Sequence, residues 1–169
     1  VNLQGLRHGD GGLALFNGGL EEQADDLDRV LEKVGAEEKR DLFNANSSAY
    51  QRLAAGNTIL LVASAAPAAN EFGRVGHSGG TAFEMSVGKH RLVVNCGSGR
   101  HRNGDWPEAA RATAAHSTLH FANANAWPIL GDGGFGSNPA PLYCRRHEDD
   151  AGSNWLELRH EGYRQRFGL

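Results

Sequence analysis

A glycine-flanked hairpin between Arg74 and Gly97 constrains this chain more than any other stretch. Within it, Ala82, Glu84 and Ser86 alternate with Thr81, Phe83, Met85 and Val87, the period of a strand with one face buried. Gly88-Lys89 supplies a tight turn, and His90 to Asn95 returns as a second strand closed by Cys96-Gly97. A hairpin brings its ends together, so His77 and Asn95 are expected near one rim of a sheet. Glu84 reads as a surface position of that sheet. A further histidine, His116, heads another expected strand from Ser117 to Ala122. Two histidines and an amide at strand ends form a candidate site. Imidazole is the commonest metal ligand, and zinc accepts nitrogen and oxygen donors together. The alternative is that each histidine satisfies only local hydrogen bonds.

Other stretches read as strands too. Ala49 to Leu53 and Thr58 to Ala63 flank a turn at Ala54-Ala55-Gly56-Asn57, and Ile59 to Val62 is a continuous apolar run suited to burial on both faces. Leu142 to Arg145, Asn154 to His160 and Gly162 to Phe167 follow later. Near the start, Leu6 to Gly12 is a polar, Gly-rich turn with the hairpin signal Asp10-Gly11, leading into a short apolar strand. One helix stands out. Leu20, Ala24, Leu27, Val30, Leu31 and Val34 recur on one face, with Glu21 and Glu22 at its start, Lys33 at its end and Gly35 as a stop. Ala36 to Ser48 reads as a polar connection, and Glu108 to Ala115 as an extended approach to His116. Asn123 to Pro141 lacks periodicity, which suits either a functional loop or a disordered insertion. Many short strands with Gly-rich turns and one helix predict a mainly β protein, an antiparallel β-sandwich. Residues 1–48 form a junction segment and residues 49–169 the sandwich.

Composition narrows the function. The 169 residues suit one domain, and a net charge of −3 with no basic cluster argues against a nucleic-acid partner. No apolar run reaches the length of a transmembrane segment. Cys96 and Cys144 are too few for a disulfide scaffold, and their spacing leaves pairing open. Arg145 to Asp150 reads as a solvated turn. Tyr50, Tyr143 and Tyr163 are proton donors by type, with no local mark of activation. The opening on Val1 and the ending at Tyr163 to Leu169 read as a piece of a longer protein.

Three blocks carry a resemblance: His77-Ser-Gly-Gly-Thr-Ala-Phe-Glu-Met-Ser-Val-Gly, Leu92-Val-Val-Asn-Cys-Gly, and Arg111-Ala-Thr-Ala-Ala-His-Ser-Thr-Leu. In order and spacing they resemble the β-domain of heparinase II/III-like polysaccharide lyases. The resemblance implies a sandwich that follows an N-terminal α/α toroid of the same parent chain, absent here. It implies β-elimination on an acidic, uronate-containing polysaccharide, in a bacterial periplasm or cell envelope. The family's Tyr, Asn and one catalytic His would come from that toroid. His77 and His116 match the histidines of a structural zinc found in some members, and Asn95 stands where their third ligand is an aspartate. Val75 occupies the place of the sandwich's own catalytic histidine and Gly79 that of a usual aspartate, leaving His77 as the candidate catalytic residue. A non-catalytic carbohydrate-binding or structural sandwich of the same descent is the other reading.

Overall fold

The computed structural model describes residues 3–33 and 49–168. The order of elements is α1 (Ala24–Lys33), β1 (Tyr50–Ala55), β2 (Thr58–Ala63), β3 (Phe83–Val87), β4 (His90–Val93), α2 (Trp106–Ala109), β5 (Leu142–Glu148), β6 (Asn154–His160) and α3 (Arg164–Phe167). β1 to β4 form a four-stranded antiparallel sheet in sequence order, and β5 and β6 a two-stranded one. This is the expected antiparallel sandwich class. Both tight turns of the larger sheet begin with a glycine at positive φ, Gly56 (55°) and Gly88 (53°), where a side chain would add strain.

Period-2 alternation places Leu61 opposite Glu84 and Ile59 opposite Ser86 on one face. The N-terminal segment covers that face. Phe16 packs with Leu61, Ala63 and Ala82, and Phe16 stacks on Tyr50 at 5.3 Å. The Gly-rich turn from His8 to Gly12 is held against β3 and β4. A β-carbon on Gly9 would come within 1.8 Å of the Gly88 carbonyl oxygen, and Arg91 grips both carboxylate oxygens of Asp10 at 2.7 and 3.2 Å.

A second core lies around Trp127, with Ala124, Ala126, Phe135 and Tyr163. All of these but Tyr163 belong to the long stretch from Asn123 to Pro141, which is therefore packed into the fold. Ser78 and Thr113, both fully buried, tie it to the histidine-bearing segments. The Ser78 hydroxyl oxygen accepts from the Trp127 backbone at 2.9 Å, and Thr113 Oγ1 accepts from Ala126 N at 2.9 Å while donating to the Ser78 carbonyl at 2.8 Å. Gly80 makes this contact close, since a β-carbon there would sit 2.3 Å from the Trp127 ring. Gly80→Ala is therefore expected to cost about 1–3 kcal/mol, the usual range for overpacking, read as a lower midpoint in urea unfolding.

Several sequence expectations are corrected. The short apolar strand expected after Gly12 is reduced to an isolated bridge between Arg7 and Leu13. Ser117 to Ala122 is not a strand. Ser117 and Thr118 spend their side chains on Phe83 O, Asn95, Thr81 and Gly80, local bonding that competes with a strand ladder, and only Phe121 and Ala124 form a bridge. Gly162 to Phe167 turns into α3 because Tyr163 is drawn inward, its hydroxyl donating to Leu119 O at 3.1 Å, and Gly168 closes the helix at φ 72°. Glu108 to Ala115 is helical in part, with Pro107 early in α2 and a 3-10 turn over Thr113–Ala115. The amphipathic helix itself is present over Ala24–Lys33; its expected end at Val34 and Gly35, and the connection up to Ser48, lie outside the described residues. Cys96 and Cys144 are separate, exposed thiols. The solvated turn read over Arg145 to Asp150 is also corrected: Arg145 to Glu148 continue β5 in register with Glu157 to Asn154 of β6, and the exposed turn lies at Asp149 to Gly152, with the Asp149 carboxylate accepting from Ala151 N and Ser153 N.

Candidate functional site

The 19 residues between β2 and β3 carry His77 back to the N-terminal segment. His77 N donates to Asn17 Oδ1 at 3.2 Å, and Asn17 Nδ2 donates to the Tyr50 hydroxyl at 2.9 Å. These three residues line a cleft of about 270 Å³ together with Pro67, Phe72 and Val75. Phe72 and Val75 stand at its rim, 75% and 58% exposed. Arg111 braces the loop from behind, donating through Nε to Gly76 O at 2.7 Å and through Nη2 to Gly133 O.

The structure brings the two expected histidines together. His77 Nδ1 lies 3.1 Å from His116 Nε2, with the rings nearly perpendicular at 82°. His116 Nδ1 faces the Ala112 carbonyl oxygen at 2.8 Å. A carbonyl only accepts, so His116 carries its proton on Nδ1 and its Nε2 accepts. His77 must then donate from Nδ1, leaving a lone pair on Nε2. Burial is the main cause that pushes His77 down to about 4, reinforced by repulsion from His116 whenever that ring is protonated and by the positive charges of Arg111 and Arg100. Burial also lowers His116, against the opposing effects of the Ala112 carbonyl and Glu84. Both rings are therefore neutral at neutral pH.

Asn95 sits beside this pair and is joined to it through Ser117. Its Oδ1 accepts from Ser117 N at 2.9 Å, and its Nδ2 donates to Glu84 Oε1 at 3.0 Å. Glu84 overturns its surface reading. It is fully buried, and its carboxylate accepts from His8 Nε2 at 2.8 Å, Leu15 N at 2.9 Å and Asn95 N at 3.1 Å as well. Burial alone would raise the carboxyl, yet these donors hold it below its ordinary value. Sequence reasoning put Glu84 outside because alternation tells which residues share a face, and the cover over that face comes from residues 8–16, far away in sequence. The trace of that cover was the Gly9-to-Gly12 run, which marks close backbone approach. Asn17 carried no signal, and Tyr50 only its residue type. Tyr143 is exposed on β5 and Tyr163 is buried in the Trp127 core, so neither reaches the cleft lining.

Among the described residues, no group of three His, Cys, Asp or Glu side chains is placed to hold a metal ion, and no helix is long and apolar enough to cross a membrane.

A family model described as "Heparinase II/III-like, C-terminal" matches residues 37–169. The chain belongs to that family. FtsZ-localized protein C of Caulobacter vibrioides is 29% identical over 92% of this chain and 28% of its own length. Among solved structures, the heparinase III-BT4657 gene product superposes with a TM-score of 0.56 at 11% identity, over 94% of this chain and 29% of its own. A mutant of the heparan sulfate lyase HepC from Pedobacter heparinus gives 0.53 at 16% identity, over 93% and 29%. The chain thus spans under a third of each of these relatives, and the structural likenesses speak for the shared fold alone.

Proposed function

We propose that this heparinase II/III-like domain forms one wall of the cleft in which a polysaccharide lyase cleaves an acidic, uronate-containing glycan by β-elimination. The observation that carries the reading is the cleft itself. A hydrophobic rim of Phe72 and Val75 suits the apolar face of a sugar ring, and Asn17, Tyr50 and His77 supply the few placed polar groups that fix a ligand's orientation. His77 is a poor base for the proton next to the uronate carboxylate, because its basicity is suppressed to about 4. In this reading it orients the glycan, while the groups that remove and return protons belong to a toroid of the parent protein. His77, His116 and Asn95 stand at the positions that hold a structural zinc in some members of the family, and the proposed setting is the periplasm or cell envelope.

One reading competes, and one residue favours it. Val75, 58% exposed at the cleft rim, occupies the position where the resemblance expects a catalytic histidine. A valine there transfers no protons, which suits a non-catalytic, glycan-binding or structural sandwich. The relative named for localisation with FtsZ agrees with such a role in an assembly. Product formation separates the two. The full-length protein, incubated with acidic glycans, is expected to release unsaturated uronate with its ultraviolet absorbance. Binding of the same glycans with no such product would establish the non-catalytic reading, and neither binding nor product would end both.

A further inference from the structure

We infer that His77 and His116 form a metal-free, directly hydrogen-bonded pair, and that this pair fastens the two loops which zinc fastens in other members of the family. Three features of the site favour the pair over a dication. His77 Nδ1 and His116 Nε2 lie 3.1 Å apart as donor and acceptor: the Ala112 carbonyl holds the His116 proton on Nδ1, so the proton between the two rings sits on His77 Nδ1, and a metal would have to displace it. The third position holds an amide, a weak ligand for a dication, and that amide is engaged at both ends, by Glu84 through Nδ2 and by Ser117 through Oδ1. The space of an aspartate at position 79 is filled by the His116 ring itself, since a β-carbon on Gly79 would come within 2.6 Å of its Cδ2.

Charge points the same way. Arg111 and Arg100 both act on His77 as positive neighbours. Two neutral imidazoles and a neutral amide would leave the full charge of a dication standing beside them. The carboxylate that acts on His116, Glu84, is occupied by four donors from His8, Leu15 and Asn95. The pair needs none of this compensation. It links the loop before β3 to the turn at residues 112–118 with one neutral hydrogen bond, inside a frame already set by Ser78 and Thr113.

The test uses the full-length protein and is independent of any glycan activity. Purified without chelator, it is expected to hold no zinc that depends on His77 or His116, and neither added zinc nor a chelator shifts its melting temperature. His116→Gln is the informative variant, because a carboxamide keeps a donor for the Ala112 carbonyl and an acceptor for His77 but is a poor zinc ligand. It is expected to melt close to the wild type, whereas His116→Ala melts lower. One equivalent of zinc per chain that disappears in His116→Gln, or a melting temperature that rises with zinc in the wild type and not in that variant, overturns the inference. Zinc that persists in both variants lies at another site and leaves the pair metal-free.

Discussion

Glu84→Ala is expected to cost several kcal/mol of folding stability, since each buried donor left without its acceptor costs about 1–3 kcal/mol. The carboxylate is fully buried and is the common acceptor for His8, the Leu15 and Asn95 backbones and the Asn95 side chain. Alanine removes the common acceptor of all four donors at once. It also releases the N-terminal cover from β3, since His8 and Leu15 both belong to that segment. Glu84→Gln should lose far less. Its carbonyl oxygen can still take the Leu15 and Asn95 donors, and its amide can donate to His8 once the imidazole shifts its proton to Nδ1 toward Ser86. The two variants also separate in acid. Glu84 is held below its ordinary value, so its contribution is fully present above the unfolded carboxyl value and is lost as pH falls through the lower, folded one. Urea midpoints measured down that range should drop in the wild type and flatten in Glu84→Gln. Equal midpoints for wild type and Glu84→Ala at neutral pH would remove the network from any structural role.

The importance of Glu84 shows where sequence reading reaches and where it stops. Local signals were sufficient for the hairpin, for β1 and β2 with their Gly56 turn, and for β6 and the first half of β5, because alternation and turn glycines act within a few residues; the charged second half of β5, Arg145 to Glu148, read as a turn and is strand. They were sufficient also to single out His77, His116 and Asn95, three residues at element ends that the fold gathers into one neighbourhood. What they could not supply was the identity of the covering layer. His8 meets Glu84 across 76 residues and Asn17 meets His77 across 60, and no periodic pattern spans such a separation. The segments that read as strands and are not, residues 117–122 and 162–167, failed for a related reason. Ser117, Thr118 and Tyr163 each find partners in distant loops, and those bonds outcompete the pairing their β-rich composition suggested. The Asn123 to Pro141 stretch had no periodicity to read because its order comes from scattered long-range contacts, chiefly the Trp127 ring wedged against Gly80 and its backbone held by Ser78.

The histidine pair yields the second large effect, in a different pH window. His77 falls to about 4 in the folded chain from an ordinary value of 6.5. The folded protein therefore binds fewer protons than the unfolded one between these two values, and stability declines as pH drops from 6.5 toward 4. A displacement of this size corresponds to roughly 3 kcal/mol when complete, most of it developed before Glu84 begins to titrate. His116 and His160 are lowered by burial as well and act with the same sign. Unfolding in urea at pH 7.5, 6 and 5 should thus show a steady loss of stability above the acid range of the carboxylates. In His77→Gln the slope should shrink without vanishing, because His116 and His160 still resist protonation. A stability unchanged between pH 7 and 5 in the wild type would mean that His77 accepts a proton in place, which the Nδ1-to-Nε2 contact with a neutral His116 and the nearby charges of Arg100 and Arg111 oppose. An unreduced slope in His77→Gln would assign the effect to the other two rings and leave His77 basic enough at neutral pH to serve as more than a fixed wall of the cleft.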